Sequence, residues 1–495
     1  MNDTRALLTR ISAFRQRLEG MPRLTAEATP AVTVDEEAAP IAQLERTVQA
    51  GSRTQAILEQ SLRHLSDDAA PQEPAAGRLI AKARRVLGEA HDLVTCLRRL
   101  ADDPLLAGPP PEQGTLETDP LALHYRETAA MMTPAVRLAQ AMPDEPSIQS
   151  RLSDGLEAVL ATVRQRLVGL GHALDQRRRD VDLVDRVAAL LTRLDSAAAI
   201  DASSFTHLAA EILNETPASP LRFLHAAAAS QQAYLGGTSF PAPARFVACH
   251  AVTAARVIAR MLRFAPEWND RPLDPVVAVL LQDVGMLRIA METLATPGPL
   301  DDAGRRAIEA HPRTSAELVA NRLPSFGHLV EGIAAHQERL DGTGYPHGLK
   351  DSQVPALARM LAVADVYAAL CCPRPQRAAL DPRTALTDVL LFAEQNIFDR
   401  FAAEKLLAIS LYPVGSVVEM TDGSVGVVAA NHPDRNKLHL AARPVLNILI
   451  DSQNRLLPAP RPIDLAESEG GAVLRTLPAA ERARLLGRHY PEWAA

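Results

Sequence analysis

The sequence predicts a mainly α fold: an N-terminal helical region, an all-helical central domain and a small C-terminal β-barrel-like module. Three observations carry this. The composition is 47% hydrophobic but only 4% aromatic, with Ala and Leu dominant, a balance that favours packed helices. Apolar residues recur at three-to-four spacing over long stretches, as at Leu156, Val159, Leu160, Val163, Leu167 and Leu170, which places them on one helix face. After residue 412 the period changes to β-branched runs punctuated by turn residues.

In chain order, residues 1–117 predict helices joined by Pro-rich linkers. A short amphipathic helix over 1–22 precedes a stretch at 23–41 rich in Pro, Ala, Thr and Glu, which is a linker. Ile41, Leu44, Val48, Ile57, Leu58, Leu62 and Leu65 restore helical spacing up to residue 67. DDAAPQEPAAG (67–77) breaks that helix, residues 78–102 form another, and DDPLLAGPPPEQG (102–114) breaks again. Residues 118–215 predict a helical bundle or coiled-coil adaptor, with Arg177, Arg178 and Arg179 on a solvated stretch. Helices punctuated by proline continue over 216–411. YPVGSVVEMTDGSVGVVAA reads as a hairpin about Asp422-Gly423 and LNILIDSQNRLLP as a second, giving a β-module over 412–465. Residues 466–495 return to helix.

Bulk properties narrow the function classes. A chain of 495 residues exceeds one core. Its net charge of -7 is mild for that length and argues against a binder of nucleic acid polymers. Cys96, Cys249, Cys371 and Cys372 form no CxxC pair, so reduced thiols are expected. MNDTRALLTRISAF lacks the apolar core of a signal peptide, and no stretch of about 18 residues is apolar enough to span a bilayer. A cytoplasmic location is the expectation.

Chemistry concentrates between residues 245 and 380. His250, Asp283, His311, His336 and Asp365 follow one another on predicted helices and their ends. Mixed imidazole and carboxylate shells suit metals such as iron or manganese. Asp283 and Asp365 each sit in an apolar run, where an unpartnered charge is costly, so each needs a ligand or partner. HQERLDGTGYP (336–346) adds Gly342 and Gly344, free of Cβ constraints, Tyr345, whose ring has a polar tip, and Pro346, which stiffens the exit. Asp341 is most simply a turn residue, and Glu338 is either a supporting group or a surface charge. His91-Asp92 lies in an N-terminal helix with no ligand series around it.

ACHAVTAARV, QDVGM, HPRTS, HQERLDGTGYP and ADVYAAL, in this order, resemble the motifs of the HD-GYP family, the cyclic di-GMP phosphodiesterase branch of the HD superfamily. TPGPLD (296–301) and PRPQR (373–377) resemble two further family segments. The resemblance covers about 240–410 and implies an all-helical HD-type domain. It implies a first metal held by His250, position 282, Asp283 and Asp365, and a second by Asp283, His311, His336 and position 337. Asp283 would bridge the two and be the catalytic centre of the set. It implies iron or manganese, as one or two weakly held ions, or no ion at all.

The chain departs from the family where it matters. Gln282 stands for the His of HD, Met286 for a Lys that would meet phosphate, and Gln337 for the second His of HHE. The complete GTGYP loop, with Arg374 and Arg377, remains as a ligand- or partner-binding set. The expected function is therefore a degenerate, non-catalytic or weakly active signalling protein of cyclic dinucleotide pathways. Its expected partner is a cyclic dinucleotide or a diguanylate cyclase (GGDEF) type protein, and long helices favour a homodimer. The alternatives are an active metal-dependent phosphodiesterase and a metal-free scaffold.

Overall fold

The structure, a computed structural model, describes residues 74–103, 105–106, 121, 124–132, 146–196, 198–215, 221–224, 242–294, 296, 298–372, 379–409, 411–430, 442–468, 471–477 and 479–486. The expected helices over 1–22 and 42–67, and Arg374 and Arg377, lie outside the described residues. Two compact units divide the chain, one spanning Pro22–Arg177 and the other Arg178–Glu481. Among the described residues no helix is long and apolar enough to cross a membrane.

The first unit is built on α1 (Pro74–Ala101) and the first part of α2 (Pro146–Asp195). Val86, Leu93 and Leu97 of α1 share one core with Leu156, Leu160, Val163, Leu167, Leu170 and Leu174 of α2. The expected apolar stripe is thus a buried helix face. Arg177 corrects the expectation of a solvated arginine run. It is buried and donates to the carbonyl oxygen of Leu105 at 3.1 Å, while Arg178 and Arg179 are exposed. Three consecutive arginines on a helix cannot share one face, since successive residues are about 100° apart.

The second unit holds the candidate site. Its helices are α3 (Ala202–Asn214), α4 (Ala242–Met261), α5 (Leu273–Leu281), α6 (Asp302–Glu309), α7 (His311–Arg322), α8 (Val330–Ala334), α9 (Ala356–Cys371), α10 (Pro382–Glu394) and α11 (Arg400–Ile409). Sequence signals set several of their starts. Asp201, Asp301 and Asp381 each cap a helix by accepting a backbone N–H in its first turn. Every residue of α5 from Pro275 to Leu281 is buried, and α9 buries residues on all sides. Helices apolar all round belong at the centre of a core.

A buried ion network ties α2 to α4. Asp180 accepts from Arg222 Nε at 2.7 Å and Arg256 Nη2 at 2.8 Å, and Arg256 also reaches Glu215. Replacing Asp180 with alanine removes the shared acceptor, leaving Arg222 without this carboxylate and Arg256 with Glu215 alone. The expected loss is about 3–5 kcal/mol of unfolding free energy, read by chemical denaturation of the full chain.

The β-module forms one antiparallel sheet of order β4-β3-β2-β1-β5, from β1 (Val417–Met420), β2 (Val425–Ala430), β3 (Val445–Ile450), β4 (Leu456–Asp464) and β5 (Val473–Thr476). The two expected hairpins are β1–β2, paired Val417 with Val427, and β3–β4, paired Val445 with Asp464. Gly423 at φ 83° makes the first turn. The sheet is open among the described residues, with β4 and β5 at its edges. Val418, Met420, Val428, Leu446 and Ile448 join the same core as the helices, so the apolar face is covered by helix and needs no closure into a barrel. β5 lies inside 466–495, where helix was expected; it pairs with β1, and α12 (Ala479–Leu486) follows it.

Candidate metal centre

Helix ends place the key side chains. The apolar α5 stops at Gln282, and Asp283 leaves helical geometry at φ -105°, ψ 7° before a 3-10 turn over Val284–Arg288. Both side chains stay buried. Gly285 allows this turn to press on α7: a Cβ there would lie 2.5 Å from the His311 carbonyl oxygen. Its N–H also donates to Ser315 Oγ at 2.9 Å. The close approach brings His311, the first residue of α7, to Asp283. His336 follows the short α8, and Asp365 projects from the middle of α9.

His311, His336 and Asp283 form one cluster. His311 Nδ1 lies 2.5 Å from the carbonyl oxygen of Ile308, and His336 Nδ1 lies 2.7 Å from that of Ile333. A carbonyl only accepts, so each Nδ1 carries a hydrogen and each Nε2 is turned inward. The two Nε2 atoms are 3.2 Å apart, and they lie 3.1 and 3.4 Å from Asp283 Oδ1. Three potential ligand atoms converge in a buried space, and a cation there would satisfy all three.

Electrostatics agree. Burial pushes the Asp283 carboxyl up, but hydrogen bonds from His311 and His336 outweigh it and hold the group well below its usual range. Burial disfavours a charged His336, but Asp283 beside it raises its pKa above the ordinary imidazole value. A metal must displace the proton that His336 holds. Metal affinity is therefore expected to fall as pH drops through that raised pKa, and titrations of Mn(II) at about pH 8 and about pH 6 should show weaker binding at the lower pH.

Asp365 anchors a second cluster with a different character. His250 Nε2 is 2.7 Å from Asp365 Oδ1 and 3.8 Å from Asp283 Oδ2. Gln282 Nε2 donates to Asp365 Oδ1 at 2.9 Å, and Gln337 Nε2 donates to Asp365 Oδ2 at 3.1 Å. Arg339 Nη2 occupies the Gln337 oxygen at 3.1 Å, which fixes which way that amide faces. Gln337 therefore stands against Asp365, which the resemblance assigned to the other metal. Met286 is partly buried against the core, and packing is its visible role.

The GTGYP loop folds back over this pocket. Tyr345 N–H donates to the Gln337 carbonyl oxygen at 3.2 Å, and the tyrosine ring stands edge-on to His311 at 6.3 Å between centroids. Glu338, fully buried, accepts from the backbone N–H groups of His347 at 2.7 Å and Leu349 at 2.9 Å. Of its two readings, the supporting one holds: Glu338 clamps the exit of the loop. Asp341 accepts from Thr343 N at 2.9 Å, as a turn residue does. The expected ligands His250, Asp283, His311, His336 and Asp365 thus lie together, in two groups that share Asp283 and whose ligand atoms are within 4.8 Å of one another. Sequence reasoning missed Arg339 and the carbonyls of Ile308 and Ile333. The available signal for the carbonyls was position, three residues before each histidine.

The HD domain family matches residues 205–401. A cyclic di-GMP phosphodiesterase of Pseudomonas aeruginosa is 34% identical over 170 residues, covering 32% of this chain and 39% of that protein. A 3'3'-cGAMP-specific phosphodiesterase of Vibrio cholerae is 37% identical over 120 residues, covering 24% and 25%. The cyclic di-GMP phosphodiesterase response regulator RpfG of Xanthomonas campestris is 36% identical over 135 residues, covering 26% and 35%. The chain thus spans well under half the length of these relatives. Residues 205–401 match the HD domain family, and part of the chain is similar to cyclic di-GMP phosphodiesterases, as the HD-GYP resemblance implies.

Proposed function

We propose that this protein is a cyclic dinucleotide signalling protein whose HD-GYP-type domain binds the nucleotide and hydrolyses it weakly or not at all. One observation carries the reading. Both oxygens of Asp365 accept from glutamine amides, Gln282 and Gln337, at positions where the family resemblance implies imidazoles. A neutral amide that donates to a carboxylate is turned away from the role of metal ligand. A second metal to share the charge of an attacked phosphodiester is then missing, and Met286 supplies no cation where the family has lysine.

The relatives named above act on cyclic di-GMP or 3'3'-cGAMP, which supports a cyclic dinucleotide as the ligand. The pocket keeps the parts that binding needs. Asp283, His311 and His336 offer a site for an ion that meets phosphate, and Tyr345 offers a ring edge-on to His311. The first cluster also favours the second reading, an active phosphodiesterase that works with fewer ligands.

Equilibrium dialysis of cyclic di-GMP against the metal-loaded full chain tests the binding. Saturable binding is expected, weakened about tenfold by Tyr345→Ala, because one aromatic contact to a base contributes about 1–3 kcal/mol. Absence of saturable binding by the wild-type chain would contradict the reading.

A further inference from the structure

The family resemblance implies a pair of metals, and the two halves of this pocket are unequal to that task. We infer that the pocket holds a single cation, on Asp283, His311 and His336, and that Gln282 and Gln337 close the second position by hydrogen-bonding Asp365. The inference rests on the metal-binding part of the reading above and names the occupancy of that same site.

The contrast is between ligand atoms that meet chiefly one another and a carboxylate held by amide donors. At the first position, backbone carbonyls hold the hydrogens of His311 and His336 on Nδ1. The two Nε2 atoms and a carboxylate oxygen then face one another at 3.1 to 3.4 Å. Two imidazole nitrogens and a carboxylate oxygen at that spacing in a buried site suit a positive centre. At the second position that need is already met. Asp365 Oδ1 has His250 and Gln282, and Asp365 Oδ2 has Gln337. The Gln337 oxygen is in turn held by Arg339, whose guanidinium lies 5.0 Å over the Phe398 ring and also donates to the Glu338 carbonyl. An ion entering here would have to break the hydrogen bonds that two amides make to Asp365, and those neutral amides offer it no charge in return. It would also meet the charge of Arg339 behind Gln337.

Metal content decides the matter without reference to turnover. The full chain is stripped with a chelator, reloaded with Mn(II), desalted, and read by elemental analysis and electron paramagnetic resonance, with circular dichroism as the folding check. The expected wild-type result is about one ion per chain with the signal of an isolated Mn(II). His311→Ala should empty the site, whereas His250→Ala and Asp365→Asn should each retain about one ion. Gln282→His combined with Gln337→His should raise the content towards two and give a coupled-pair signal.

Two ions per wild-type chain would overturn the inference. Gln282 Oε1, buried and without a hydrogen-bond partner, would then be the ligand of the second. Equal loss of metal from His250→Ala and His311→Ala would overturn it too, because the ion would then sit between the clusters. A folded wild-type chain that takes up no ion would sink the single-cation assignment, while saturable nucleotide binding by that metal-free chain would leave the ligand part of the proposed function standing.

Discussion

Asp283→Ala is expected to lower Mn(II) affinity by more than about 100-fold, the upper end of what loss of even a supporting group at a metal site causes. Asp283 supplies the one carboxylate oxygen within 3.4 Å of both His311 and His336 Nε2. Without it, two imidazoles remain and the cluster has lost its own carboxylate to offset the charge of an incoming ion. The same change removes the partner that raises the His336 pKa, so the pH dependence of any residual binding should shift to lower pH. Calorimetric titration with Mn(II) measures both effects. Affinity within threefold of wild type would place the ion elsewhere.

Gly344→Ala is expected to unfold the loop and to destabilise the domain by about 3 kcal/mol or more, at or beyond the upper range for overpacking. A Cβ at Gly344 would lie 2.3 Å from Arg339 N, 2.5 Å from Glu338 Cα and 2.6 Å from the Gln337 carbonyl oxygen. These are backbone atoms of the segment that follows His336, so no side-chain rotation relieves the clash. Either the loop lifts off, taking Tyr345 from His311, or the segment shifts, taking Gln337 from Asp365. Gly342→Ala should be milder, at about 1–2 kcal/mol for a left-handed residue: Gly342 has φ 82° and meets chiefly the flexible Lys350 side chain. Thermal unfolding of both variants checks the order. Equal, small effects would mean that the loop is not packed as described.

Much of the site was legible because its signals are local. A carboxylate inside LLQDVGML or LAVADVYAAL stands out against its apolar neighbours, and burial of Asp283 and Asp365 follows from the helices that carry them. Glycines and proline in DGTGYP announced a tight loop, and the structure packs that loop on the histidine segment. What stayed hidden depends on contacts distant in sequence. The direction of the Gln337 amide is set by Arg339 on one side and Asp365 on the other, and nothing in HQER fixes it alone. Glu338 looked equivocal because its partners, the amides of His347 and Leu349, lie across the loop. The burial of Arg177 reflects a carbonyl supplied from Leu105, 72 positions away. β5 was missed because four residues carry little periodicity, and its strand character comes from pairing with β1.

Turnover of cyclic di-GMP by the full chain, loaded anaerobically with Mn(II) or Fe(II), tests the central claim most directly. The account predicts that nucleotide is bound and recovered intact, or is cleaved far more slowly than the roughly 1–1000 per second of ordinary enzymes. It also predicts that Gln282→His, Met286→Lys and Gln337→His together increase cleavage. Steady formation of linear product by the wild-type chain at about 1 per second or faster would contradict it, and would show that Asp283, His311 and His336 with His250 and Asp365 suffice for catalysis.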